Sequence, residues 1–214
     1  MKLYTYPLTS NAIKVSLLLN YLQLSFTEVL IQLPEGEQYK AQFKQRNPNC
    51  SIPVLEDDGL IIWESNAILL HLQEKYGEAK AGSESIQKVQ SMRWLCWQMG
   101  SWNKVVLPYA HQRVVAPFWG MPANESAIAE HADSLPKLAK IVDTHLQQQR
   151  YLTGEQLDIS DFSLAASLMF WQQAKIPLQE YPAILQWLAG LQASDWWQQS
   201  ALQLDDFISS GSLT

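Results

Sequence analysis

The chain has 214 residues, of which 47% are hydrophobic and 17% charged, with a formal net charge of −6. That length can build one large domain or two smaller ones with a sizeable core, and the composition excludes a disordered chain. No basic patch stands out, so nucleic acid is not an expected partner. Cys50 and Cys96 form no C-x-x-C pair and no Cys/His cluster points to a metal, so none is expected. No apolar run approaches a membrane span. The opening "MKLYTYPLTSNAIK" lacks the apolar core and cleavage site of a signal peptide. The expectation is a cytoplasmic protein in a reducing compartment, with no membrane partner.

In chain order, "KLYTY" (2–6) is β-branched and aromatic, reads as a strand, and stops at Pro7. Thr9, Ser10 and Asn11 are helix-starting residues, and Ile13, Leu17, Leu18, Tyr21 and Leu22 follow at helical spacing. "SFTEVLI" (25–31) predicts a second strand and "GEQYKAQFKQR" (36–46) a short polar helix. "IPVLE" (52–56) and "GLIIW" (59–63), joined through Asp57-Asp58-Gly59, predict a hairpin. Ser65 to Tyr76 then places Ile68, Leu69, Leu72 and Tyr76 on one helical face, and Gly77 supplies the stop.

The first half therefore reads β-α-β-α-β-β-α, a compact α/β layer. "GEAKAGSES" (77–85) is a plausible linker. Beyond it the pattern predicts helices over about 85–118, 124–150, 158–174 and 181–203, and no strand. Within "DISDFSLAA", Asp158 is placed to cap a helix, with Asp161 at the capping-box acid position three residues on.

The stretch "NPNCSIPVLEDDGLIIWES" (47–65) packs a strand-initial proline, a hairpin and a helix start closely together. If the Ile52–Pro53 bond is cis, the Ile52 backbone is turned outward to pair with an extended peptide, as an added strand would. Ser65 stands at a helix N-terminus, where free N–H groups, the helix dipole and its own hydroxyl suit a carboxylate. Glu64 beside it suits an ammonium group. Carboxylate and ammonium on one carbon describe an amino-acid head. The competing reading is purely structural: Ser65 as a helix cap and Glu64 as a first-turn acid.

These residues carry a resemblance. "NPNCSIPVLEDDGLIIWESNAILLHLQEKYG" is similar to the glutathione transferase stretch N-P-x-G-x-[IV]-P-x-L, a hairpin, then E-S-x-A-I-x-x-Y-L. "YLTGEQLDISDFSLA" is similar to the second-domain signature Y-L-x-G followed by S/T-x-A-D. The resemblance implies an α/β thioredoxin-like N-terminal domain over 1–78 and an all-α C-terminal helical domain over 85–214. It also implies glutathione as co-substrate and usually a homodimer. Cys50 and Ser51 depart from the family's usual Gly and frequent Lys, and Asp158 replaces its Ser or Thr cap. The implied glutathione contacts are Ile52, Pro53, Glu64 and Ser65, with Gln38 reaching the glycine end.

Bound glutathione must become a thiolate, since the thiol is a poor nucleophile. Lowering a thiol pKa by ~2 units takes about 3 kcal/mol, within reach of one or two donors and a helix N-terminus. In this family those donors lie in the turn after the first strand, here "PLTSNAIKV". Thr9 falls at the place of the family's active serine, with Asn11 and then Ser10 as further candidates and Tyr6 as a rival. The T-x-N arrangement resembles the bacterial nu class and fungal prion-like relatives. A plain helix cap is the alternative for "TSN".

Tyr109, Phe118 and Trp119, with His111 and Arg113 nearby, are candidates for a hydrophobic substrate wall, though helical aromatics also serve as core. The resemblance thus implies transfer of glutathione to hydrophobic electrophiles in detoxification, or reduction of disulfides or peroxides. The alternative is a non-catalytic member of the fold, as in stringent-starvation proteins or an elongation-factor subunit, used for ligand carriage or protein interaction.

Overall fold

The computed structural model describes residues 1–77 and 84–210. They form two compact units: residues 1–77 together with the last helix, and the residues from Glu84 to Ser194. The proposed linker, 77–85, lies mostly outside the described residues.

The first unit follows the expected order. Strand β1 (Lys2–Thr5) leads to helix α1 (Ser10–Tyr21), then β2 (Thr27–Leu30), a short helix α2 (Ala41–Lys44), β3 (Val54–Asp57), β4 (Leu60–Trp63) and α3 (Ser65–Tyr76). The four strands form one sheet in the order β2-β1-β3-β4, with β1 parallel to β2 and antiparallel to β3. The parallel pair needs the α1 crossover. The antiparallel pair β3–β4 is closed by Asp58 and Gly59, whose φ values of 49° and 82° suit a two-residue hairpin turn.

Side chains alternate across β1 and β3. Tyr4 and Val54 pack with Phe43 of α2. Leu3 and Leu55, paired in register, are fully buried on the opposite face. The expected helix over 36–46 is broken into a single 3-10 turn (Glu37–Tyr39) and α2, because Lys40 between them takes an extended backbone.

Helix α1 buries Ala12, Ile13, Lys14, Val15, Leu17, Leu18, Leu19 and Asn20, covering nearly its whole circumference. Helix α3 packs on one side of it, and the last helix, Asp195–Ser209, on another. Tyr6 lies edge-on to Phe207 at 5.3 Å, and the Asn20 amide donates to Ser200 Oγ at 2.7 Å. The division thus differs from the expected 1–78 and 85–214: the final helix belongs with the first unit. Its periodicity declares a helix but not which surface the helix covers.

Asp57, buried at the end of β3, ties the hairpin to α3. Its carboxylate accepts from Lys75 Nζ and His71 Nε2 at 2.8 Å and from the Tyr76 hydroxyl at 2.8 and 2.9 Å.

In the second unit the expected helix over 85–118 is one continuous helical run with two wide turns. It comprises α4 (Glu84–Trp97), a π turn (Gln98–Trp102), α5 (Asn103–Ala110), a second π turn (His111–Val115) and α6 (Ala116–Phe118). Pro108 inside α5 has no N–H to give, and the second wide turn begins at His111, after Tyr109 and Ala110. The expected 124–150 helix divides into α7 (Glu125–Ala132) and α8 (Leu135–Leu146), with Pro136 in the first turn of α8. The 158–174 segment is helical only as α9 (Ile159–Ala166). Beyond it the N–H groups of Ser167, Leu168 and Met169 bond to residues three back, which tightens the chain out of the α-helix. The 181–203 segment is α10 (Pro182–Gln192), followed after Ala193-Ser194 by α11 (Asp195–Ser209).

The capping box at Asp158 and Asp161 is present as expected. Asp161 does more than cap: fully buried, it accepts from the N–H of Leu152 and Asp158 and from Trp187 Nε1. Ser91 of α4 donates to Asp158 at 2.8 Å, which fastens α9 to α4.

Removing Asp161 strands three buried donors, each worth about 1–3 kcal/mol when unpaired. Asp161→Ala should lower stability by about 3 kcal/mol or more in urea unfolding followed by tryptophan fluorescence. A loss below about 1 kcal/mol would mean that these donors find other partners. Asp57 predicts a pH dependence. Burial opposes its ionisation, but the bonds from Lys75, His71 and Tyr76 outweigh burial and hold the carboxyl at about 2 instead of 3.8. A depressed carboxyl adds stability above its unfolded value and loses it as pH falls through its folded value. Acid unfolding between about pH 4 and pH 2 should therefore be less steep in Asp57→Asn than in the wild type; identical acid limbs would separate the cluster from folding.

Candidate functional site

Helix α3 begins in a bent corner. Glu64, its cap residue, is exposed and holds φ 70°, ψ 108°, a region that non-glycine residues seldom adopt. Such conformations persist where surrounding structure over-determines them, often at ligand sites. The first intrahelical bond runs from Ile68 N–H to Glu64 O at 3.0 Å. The Ser65 N–H therefore lies ahead of the helical ladder at its positive end. Ser65 is 7% exposed. Glu64, not Ser65, holds the cap position, and its side chain makes no capping bond. The purely structural reading of Ser65 as a capping side chain is thus not what the geometry gives.

The loop before β3 is shaped by Asn47, which is buried and donates to the Ser51 carbonyl at 2.7 Å while its own carbonyl accepts from Asn49 N–H. Cys50 stands where the resembling motif has Gly, and its φ of 54° is the reason Gly is usual there. The Ile52–Pro53 bond is cis. The β1–β3 and β3–β4 registers both end at Val54, so the half-buried Ile52 lies just past the ladder.

At the other end of the unit's first crossover, Thr9 caps α1 by backbone but not by side chain; its hydroxyl donates to Tyr6 O at 3.1 Å. Ser10 is half-buried and Asn11 exposed in the first turn of α1. Tyr6, the rival for thiol activation, is 0% exposed and packed against Phe207, which removes its ring from solvent. Gln38 is half-buried. Its Nε2 lies 3.5 Å from Leu33 O, and its Oε1 is buried with no hydrogen-bond partner among the described residues.

The residue that the sequence reading missed is Lys14. It is 2% exposed, and its Nζ donates to Asn66 Oδ1 at 2.6 Å, joining α1 to the first turn of α3. Burial pushes its ammonium down to about 7, while the Glu64 carboxylate pulls the other way. The signal in the sequence was a lysine on a helix face otherwise filled by Ile13, Val15, Leu17 and Leu18.

In the second unit Tyr109 is buried, with the Arg113 guanidinium 5.4 Å from its ring centre, and Arg113 pairs with Glu125. Phe118 and Trp119 are half-buried, and Trp119 meets His111 edge-on at 6.1 Å. Among the described residues no group of His, Cys, Asp and Glu is arranged to hold a metal. No helix among them is long and apolar enough to cross a membrane.

This order of strands and helices, the cis-proline beside the sheet and the Glu-Ser corner define a thioredoxin-like domain joined to a helical one. Residues 1–74 match the glutathione S-transferase N-terminal domain family and residues 125–190 the glutathione S-transferase C-terminal domain family. The chain belongs to the glutathione transferase family.

Among its relatives, the disulfide-bond oxidoreductase YfcG of Escherichia coli is 29% identical over 192 residues, covering 86% of each chain. Glutathione S-transferase 3 of Zea mays is 28% identical over 75% of this chain and 73% of its own. The crystal structure of glutathione transferase F7 from Populus trichocarpa superposes with a TM-score of 0.82 at 25% identity, covering 95% of this chain and 98% of that one.

Proposed function

We propose that this protein binds glutathione in its first unit, stabilises the thiolate, and uses it against hydrophobic electrophiles or to reduce disulfides or peroxides. The observation that carries the reading is the Glu64–Ser65 corner: an exposed carboxylate beside a hydroxyl and an N–H at the positive end of α3. The γ-glutamyl ammonium is assigned to Glu64 and its carboxylate to Ser65. The cysteinyl part of the tripeptide runs along Ile52, past the end of the β3 ladder, and Gln38 is assigned to the glycine end.

For the sulfur, the geometry favours Asn11 as the direct donor. The Thr9 hydroxyl already gives its proton to Tyr6 O, so Thr9 reaches a thiolate only by turning away from that carbonyl. Ser10 stands between them, in the same first turn. The T-x-N turn is that of the nu-class reading. Phe118 and Trp119, half-exposed, are the better placed of the three aromatics proposed for an electrophile; Tyr109 is buried.

Reduction of disulfides is the second reading, favoured by the name of the Escherichia coli relative. The active turn has no cysteine, so bound glutathione supplies the nucleophile. Its thiolate attacks one sulfur of the disulfide, a mixed disulfide forms, and the other sulfur leaves as thiolate. A second glutathione thiolate then attacks the glutathione sulfur of the mixed disulfide, the substrate's remaining sulfur leaves as thiolate, and glutathione disulfide forms. Cytoplasmic placement fits the two free cysteines. A homodimer fits the exposed Leu60, Ile61 and Trp63 of edge strand β4 and the exposed Ile86, Val89 and Met92 of α4.

Calorimetric titration tests the reading. Wild-type protein should bind glutathione, and Ser65→Ala should weaken binding by about 1.5–3 kcal/mol, the range for a hydrogen bond to a charged group. A wild type that does not bind would leave the non-catalytic alternative. For the sulfur, Asn11→Ala should raise the pKa of bound glutathione, read from thiolate absorbance, by about one unit or more. Thr9→Ala should raise it less, and the reverse order would return Thr9 to first place.

A further inference from the structure

A lysine ammonium is rarely enclosed without a reason, because removing it from water is costly unless its charge is used. Lys14 is enclosed in the second turn of α1, directly behind the corner where α3 begins. Its Nζ holds Asn66, the residue that follows Ser65, and it feels the charge of Glu64, the residue that precedes Ser65. Both neighbours of Ser65 are thus coupled to one buried cation.

The other charged groups around α1 lie elsewhere. Farther along α3, His71 and Lys75 are held by Asp57, and Glu74 is exposed. On α11, Asp195, Asp205 and Asp206 are exposed. On the sheet, Glu56 is engaged by Tyr4, and Lys2 is exposed. Glu64 is the anion facing Lys14, and it is also the carboxylate assigned to the ligand's ammonium group.

We infer that Lys14 is a positioning residue for the glutathione site, acting through Asn66 and Glu64, and that tripeptide binding is coupled to the uptake of one proton by its amine. The inference rests on the glutathione reading of the Glu64–Ser65 corner. Glutathione carries a net negative charge, so its arrival favours the ammonium form of Lys14 over the amine. The proton comes from solvent and stays on Nζ, and no covalent bond is made or broken. With burial holding the free group at about 7, the charged form is depleted just above neutrality. When only the charged form is competent, apparent affinity falls in proportion to its population.

The probe is S-methylglutathione, which has no titrating thiol, titrated between about pH 6 and pH 8. Calorimetric titration of the wild type should show affinity falling by up to about tenfold across that range. Lys14→Met should bind weakly and without that pH dependence. Lys14→Arg, which keeps its charge, should bind with little change between the two pH values. Repeating the wild-type titration near pH 8 in buffers of different ionisation enthalpy should reveal proton uptake that Lys14→Met lacks.

Wild-type affinity independent of pH, or a folded Lys14→Met that keeps the wild-type affinity and profile, would overturn the role of Lys14 while leaving the glutathione site intact. A wild type that fails to bind at either pH would overturn the reading of the corner, and this inference with it.

Discussion

The burial of α1 is the constraint on which the first unit depends. A helix covered on nearly every side has one allowed position, with α3 and α11 both packed on it. Its N-terminal turn therefore presents Thr9, Ser10 and Asn11 at a defined place relative to β1. Its second turn sends Lys14 to the start of α3. The other end of α3 is held by Asp57, so the helix that carries Ser65 is anchored near both ends, by one cation and one anion. Precision at the corner comes from these supports rather than from the corner itself, whose backbone is in a costly conformation.

Much of this was legible in the amino-acid pattern. Strand alternation, the Asp-Gly hairpin and the Ser65–Tyr76 helix follow from local rules, and the structure agrees with them to within a residue or two. The Asp158–Asp161 capping box was likewise local. What escaped were features decided by non-local packing. Periodicity could not divide 124–150 at residues 133 and 134, because the apolar faces of α7 and α8 continue across the break. It gave no sign that the segment after Ala166 would tighten, since buried Leu168 follows Leu164 and Ala165 at helix-like spacing. The π turns replace a straight helix without altering its composition.

The candidate site was legible where it rests on chain geometry and less so where it rests on side-chain bonds. Glu64 and Ser65 were marked by a helix start after a hairpin. The commitment of the Thr9 hydroxyl to Tyr6 O was not readable from "TSN", nor was the enclosure of Tyr6. Lys14 was hidden because a lysine in an amphipathic pattern is ordinarily solvated, and only the packing of α3 on α1 encloses it. Cys50 teaches the converse: the left-handed backbone demanded by the loop survived the loss of the residue that adopts it most easily, because Asn47 fixes the loop from within.

The return of α11 to the first unit has a consequence for how this protein is made. On the ribosome the sheet, α1 and α3 emerge before the second unit, yet the surface around Tyr6, Asn20 and Tyr21 is covered by Phe207, Ser200 and Trp196, which are translated after it. The nascent chain must keep that apolar surface uncovered while the whole second unit is synthesised. Folding of the first unit is thus completed only after the second unit has been synthesised, and a late segment secures an early one.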